Sequence, residues 1–236
     1  AFVGINLVVA LLELDVALGN TKARPPTVVA LLALPVMLFG GYLVGTDAVV
    51  LGLCAGLAGG FVHIMVTHQR GHTVSRMAAL TLMLLWVNLL ASSLGLLLSR
   101  EDGFWFVLAP TALTITNDVG AYAFGRNFGR THMAPAISPR KSWEGFVGAL
   151  AVTVVVAVLV TARVVPGVTI PIAIVLGVAV VAAATLGDLS ESLMKRDLGV
   201  KDLGTIFPGH GGVMDRIDAL LFALPTAHVV FLAFGL

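Results

Sequence analysis

Asp215 and Asp218 stand three residues apart in FPGHGGVMDRIDALL, residues 207–221. On a helix this spacing sends both carboxylates to one side, with Arg216 between them turned away. Carboxylates that close repel unless a cation lies between them or one is protonated. A hard cation such as Mg²⁺ takes oxygen ligands and commonly uses one or two carboxylates plus substrate phosphates. Pro208, Gly209, Gly211 and Gly212 demand an unusual backbone just before this helix. His210, in the same turn, fits either a loop hydrogen bond or a catalytic role, and no second histidine at helical spacing points to a zincin-type site.

Three further stretches carry polar groups where the surrounding sequence is apolar. In TLGDLSESLMKRD, residues 185–197, Asp188, Glu191 and Lys195 share one helical face, and Ser192 shares a face with Lys195. An interfacial helix end with an intrahelical salt bridge and snorkelling bases accounts for Lys195 and Arg196; it does not account for Asp188, about two turns deeper behind a glycine. In TNDVGAYAFGRNFGR, residues 116–130, Asn117 and Asp118 interrupt a lipid-compatible helix. A bare carboxylate there costs about 2.5–3.5 kcal/mol on insertion scales, so Asp118 is expected to face a cavity, a cation or a base. Gly120, Gly125 and Gly129 read as close helix packing. In ISPRKSWEGF, residues 137–146, a loop leads into a helix that Ser142 or Ser138 would cap, with Glu144 in its first turn. Arg140 and Lys141 fit two readings equally: loop charges at a membrane face, or a phosphate cradle built with the helix-start N–H groups and the two hydroxyls.

The elements that must position these residues are membrane helices. Only 11% of the chain is charged, and its mean hydropathy of +1.01 is far above that of a soluble globular chain. Apolar runs of roughly 20 residues, each able to cross a hydrocarbon core about 30 Å thick, follow one another. They cover about 1–18, 26–45, 47–67, 77–98, 103–124, 144–164, 169–190 and 213–236. Backbone polar groups in lipid must be satisfied within the segment, so the runs are helices, and the alternating short segments of a β-barrel are absent. The expectation is an all-α, polytopic integral membrane protein of about eight transmembrane helices, forming a single catalytic domain over residues 1–236. Ala1 opens inside an apolar run, which reads as a trimmed N-terminus. That run has no basic n-region and carries Glu13 and Asp15, unlike a signal peptide. The single Cys54 excludes an intrachain disulfide.

Alternating the loops puts all but two, Arg100 and Arg163, of the fourteen lysines and arginines on one face, which the positive-inside rule makes cytoplasmic. Residues 125–143 and 195–212 are then expected on that same face. Asp118, Asp188, Asp215 and Asp218 lie toward the cytoplasmic ends of their helices, with Lys141, Lys195, Arg196, Lys201 and Arg216 around them. Acids that hold metal, ringed by bases that hold phosphate, suit phosphoryl or nucleotidyl transfer at the membrane surface. A cation-coupled transporter would also use intramembrane acids, but it predicts acids near the midplane and inverted repeats; the acids here lie toward one face and no repeat is visible. A non-enzymatic helical scaffold leaves the carboxylates unexplained. The net charge of +1 is uninformative about nucleic acid, and no nucleic-acid partner is expected.

Ser192, Lys195-Arg196, Lys201-Asp202, Pro208, His210-Gly211-Gly212, Asp215-Arg216 and Asp218 resemble, in order and spacing, the signature of the phosphatidate cytidylyltransferases, the CDP-diacylglycerol synthases. Asn117-Asp118 with Ala121-Tyr122, and Ser138-Pro139 with Lys141-Ser142 and Glu144-Gly145, are similar to that family's earlier motifs. Arg140 stands where Lys or Asn is more usual, which keeps the phosphate-binding charge. The N-terminus is short relative to the family. The resemblance implies transfer from CTP to phosphatidate, giving CDP-diacylglycerol and pyrophosphate, by a Mg²⁺-dependent homodimer in the bacterial-type inner membrane, with its active site cytoplasmic. It implies one or two cations held by Asp118, Asp188, Asp215 and Asp218, with Asp188, Asp215, Asp218 and Lys195 catalytic. Ser138, Lys141, Ser142, Ser192, Arg196, Lys201, His210 and Arg216 would bind substrate. A lipid or polyprenol kinase or phosphotransferase would use a similar set, but the order KRD, KD, HGG, DR, D favours the cytidylyltransferase.

Overall fold

The computed structural model describes residues 2–19, 24–68, 71–204, 206 and 211–236. Among them the helices are α1 Phe2–Gly19, α2 Thr27–Leu43, α3 Thr46–Val66, α4 Thr73–Leu98, α5 Gly103–Phe128, α6 Trp143–Val164, α7 Ile170–Asp197 and α8 Met214–Ala233. Short π-helical stretches, Met83–Leu89 and Ala157–Thr161, lie inside α4 and α6. Each expected apolar run coincides with one helix. By length and composition six of these helices suffice to cross a bilayer; α2 has 17 residues, and the Thr, Asn, Asp and Gly content of α5 keeps it out of the six. The protein is thus a helical, integral membrane protein.

At about 1.5 Å per residue, the 28 residues of α7 extend roughly 42 Å. A hydrocarbon core about 30 Å thick cannot cover that length. The polar C-terminal turns of α7, carrying Asp188 to Asp197, are therefore the part that leaves the apolar layer.

One expectation is corrected. Residues 132–142 are not simply a loop: β1 His132–Ala134 pairs antiparallel with β2 Ser138–Ser142, with an irregularity in the register. The segment is too polar to extend α5, and Pro135 and Pro139 oppose helix. Strand pairing satisfies its backbone groups instead.

The chain forms two compact units. The first holds residues 1–99 and 198–217. Within it, α3 presents Gly52 to Met37 of α2, and Gly56 and Gly60 to Leu84 and Leu80 of α4, a small-residue stripe that lets helices approach. The buried Asn88 donates from Nδ2 to the Ala30 carbonyl at 2.8 Å, tying α4 to α2. Asp15 accepts a 2.5 Å hydrogen bond from the Thr27 hydroxyl, linking the end of α1 to the start of α2.

The second unit holds residues 100–197 and 218–236. Here α5 and α6 approach closely, Gly120 lying against Ala149 and Gly145 against the Ala121 carbonyl and Gly125. Gly177 of α7 meets Val154 of α6, and Gly187 meets Asp218 and Ala219 of α8. Phe106 and Phe231 stack edge to face with centroids 4.8 Å apart, joining α5 to α8.

Where a glycine meets backbone, nothing nearby can yield. A Cβ on Gly95 would collide with the Leu38 carbonyl oxygen, whereas one on Gly4 would meet nothing within 4 Å. Gly95→Ala is therefore expected to cost about 1–3 kcal/mol and to lower the melting temperature in detergent, while Gly4→Ala leaves it unchanged.

Candidate active site

The second unit contains a cavity of about 330 Å³ lined by α5, the hairpin, the start of α6 and the polar part of α7. Its lining includes Asp118, Ser138, Arg140, Lys141, Ser142 and Asp188. Three of the stretches singled out in the sequence thus meet at one hollow.

Each lining residue is placed by a local cause. Ser142 is the N-cap of α6: its backbone is extended and its Oγ accepts the Gly145 N–H at 3.1 Å. Glu144, in the first turn, accepts the backbone N–H groups of Arg130 and Thr131 at 3.1 Å. The segment after α5 is thereby clamped to the start of α6. Strand β2 carries Lys141 toward α7, where its Nζ lies 2.7 Å from Asp188 Oδ2 and 3.5 Å from the Thr185 carbonyl oxygen. Asp188 also accepts a 3.3 Å hydrogen bond from the Ser192 hydroxyl one turn on. Asn117 donates from Nδ2 to Asp118 Oδ1 at 3.2 Å.

One reading left open by the sequence resolves here: Ser142, not Ser138, caps α6. Lys141 is held against a carboxylate at the cavity. Lys195 pairs with the fully buried Glu191 at 2.6 Å. Arg196 donates from Nε to the Ile137 carbonyl at 3.2 Å, tying the end of α7 to the hairpin turn.

Asp218 is buried in the second unit and lies within Coulombic range of Asp188, Asp118 and Lys195. Three carboxylates and a base on α5, α7 and α8 therefore share one electrostatic neighbourhood. In the first unit, Asp215 accepts the backbone N–H groups of Gly212 at 2.8 Å and Leu203 at 3.2 Å through Oδ2; Lys201 and Arg216 are exposed. His210 and Pro208 lie outside the described residues.

The donors suit a hard cation. Asp118 and Asp188 supply carboxylate oxygens, and the buried Asn117 Oδ1 has no hydrogen-bond partner among the described residues. Among those residues no three Asp, Glu, His or Cys side chains form a ready-made metal cage. The intrahelical salt bridge expected on this face of α7 is the Lys195–Glu191 pair, but sequence reasoning foresaw neither the burial of Glu191 nor a role for the Asn117 oxygen. Burial is what marks both, and burial is a tertiary property; only the placement of a polar residue in an apolar run hinted at it.

The model of the cytidylyltransferase family matches residues 1–234. The phosphatidate cytidylyltransferase of Mycobacterium bovis is 44% identical over 160 residues, 68% of this chain and 52% of that protein. Its namesake in Haemophilus influenzae is 45% identical over 132 residues, 52% of this chain and 44% of that protein. In Staphylococcus haemolyticus the figures are 37% over 134 residues, 57% and 52%. The chain spans about half the length of the curated relatives it matches. A match that runs through every helix and takes in the acid–base cavity of the second unit leaves one assignment: the chain belongs to the cytidylyltransferase family.

Proposed function

We propose that the protein is a phosphatidate cytidylyltransferase, converting CTP and phosphatidate to CDP-diacylglycerol and pyrophosphate. The observation that carries this reading is the cavity where Asp118 and Asp188 face Lys141, Arg140, Ser138 and Ser142. Carboxylates able to hold a cation stand there beside cations and hydroxyls able to hold phosphate. The relatives named above carry the same activity in their names. Cytidine as the base comes with the family.

The lipid phosphate is itself the nucleophile. One of its oxygens forms a bond to the α-phosphorus of CTP, the bond from that phosphorus to the bridging oxygen of the β-phosphate breaks, and pyrophosphate leaves with the electron pair. No covalent enzyme intermediate is needed. Lys141 and Arg140 neutralise phosphate charge, Ser138 donates a hydrogen bond, and Ser142 keeps the α6 N-terminus aimed at the anion. Ser192 and Lys141 orient Asp188. Lys195, Arg196, Lys201, His210 and Arg216 add binding or charge for the triphosphate and lipid phosphate. Asp118 and Asp188, which line the cavity, would hold Mg²⁺; Asp215 and Asp218 keep the catalytic role that the resemblance implies. Bound there, the cation supplies charge neutralisation of the triphosphate and polarisation of the α-phosphate. The site opens to the cytoplasm, where CTP is found, while the acyl chains stay in the bilayer, and the enzyme works as a homodimer in the plasma membrane.

Purified protein in detergent, given phosphatidate, Mg²⁺ and each of CTP, ATP, GTP and UTP, is expected to release pyrophosphate with CTP only, in proportion to lipid. Chelation by EDTA should stop turnover and excess Mg²⁺ restore it. Turnover with ATP and a phosphorylated lipid product would replace this reading with a lipid kinase.

Asp188→Asn should lower kcat by about 100-fold or more, the scale of losing a principal charge at a transition state. Lys141→Met both removes a phosphate-binding cation and leaves Asp188 unpaired. It should lower kcat/KM by about 100-fold, with Lys141→Arg recovering part. Steady-state kinetics on folded variants checks both.

A further inference from the structure

Glu13 lies in α1, the helix furthest in sequence from the signature motifs, and is 7% exposed. Among the described residues its two oxygens accept backbone N–H groups. Oε1 accepts the Val213 N–H at 3.1 Å and Oε2 accepts the Met214 N–H at 2.9 Å. These donors are at the start of α8, where N–H groups have no intrahelical acceptor and the helix dipole favours an anion. Val213 brings no side-chain oxygen to cap the helix that follows it, so the capping acceptor comes from α1.

The surrounding chain is shaped to that carboxylate. A Cβ on either Gly204 or Gly212 would collide with the Glu13 side chain. Gly211, at φ +80°, sits in the left-handed region where only glycine is at ease. The next N–H along, from Gly212, goes to Asp215 Oδ2, as does that of Leu203. Glu13 and Asp215 thus divide the N–H groups of Leu203, Gly212, Val213 and Met214 between them. Moving Val213 and Met214 moves Gly212, and with it the hydrogen bond that orients Asp215.

We propose that Glu13 is a positioning residue: from α1 it caps α8 and thereby holds Asp215 in the orientation that the reaction proposed above uses. This rests on the reaction proposed above for the role of Asp215, but the contact itself can be tested without nucleotide.

The test is hydrogen–deuterium exchange of the whole chain in detergent, followed by Mg²⁺-dependent kinetics with CTP and phosphatidate. In the unsubstituted protein, Val213 and Met214 amides should exchange more slowly than those of the exposed turn 199–201; equal rates overturn the proposal. Glu13→Gln keeps the shape but replaces one acceptor by a donor. Exchange across 211–217 should then rise about tenfold. In the same variant kcat should fall and the Mg²⁺ concentration for half-maximal activity rise, with the KM for phosphatidate unchanged. Gly204→Ala, which keeps the carboxylate but displaces it, should give the same pattern, and Glu13→Asp a weaker one. Faster exchange with unaltered kcat and Mg²⁺ dependence would make Glu13 a merely structural cap and overturn the positioning role. Because exchange needs no substrate, failure of the reaction assignment and failure of the Glu13 contact are separate results.

Discussion

The structure depends on how carboxylates are compensated inside an apolar chain. A charge taken from water into a helix bundle is stable only when another charge, a set of N–H groups or an ion repays the lost hydration. Four of the carboxylates have named partners. Asp188 has Lys141 and the Ser192 hydroxyl. Glu191 has Lys195, Glu13 has the first N–H groups of α8, and Asp215 has Gly212 and Leu203. Removing one partner leaves the other buried and unpaired, which costs more than the pair contributes. The polar groups therefore specify the packing as much as the apolar ones do.

The same constraint makes chemistry available. The Lys141–Asp188 pair stands at the cavity wall, so in the reaction proposed above a base and an acid are already aligned there. A pre-aligned charge need not reorganise when the transition state forms, and this is the main source of electrostatic catalysis. Small residues make such alignment possible. Gly145 beside Ala121 and Gly125, and Gly187 beside Asp218, let helices approach until polar side chains on different helices meet. A larger residue at these points would separate the groups by ångströms, enough to break a 2.7 Å contact such as Lys141–Asp188.

Much of this was legible in the residues. Apolar runs long enough for the bilayer mark the helices because backbone in lipid has no alternative to internal hydrogen bonding. Asp118 inside α5 was marked as functional because hydrocarbon packing gives no reason for a charge, and it lines the cavity. The hairpin was not legible: strands of three and five residues carry too little pattern to announce themselves, and their pairing is set by the α5 and α6 ends they connect. Glu191 was seen on the face with Asp188 and Lys195, but its full burial was not.

By itself the sequence determined that this is a multi-helix membrane protein, where its helices run, and which acids and bases have no place in lipid. Those are properties of composition and spacing, which a linear string carries in full. Only the tertiary structure decided the partners: that Lys141 meets Asp188 across 47 positions of chain, that Ser142 rather than Ser138 caps α6, and that Glu13 reaches Val213 from two hundred residues away. Partnership across such separations depends on which helix faces pack, and many packings satisfy the same hydrophobic pattern. The one adopted is the one in which the buried charges also find their counterparts.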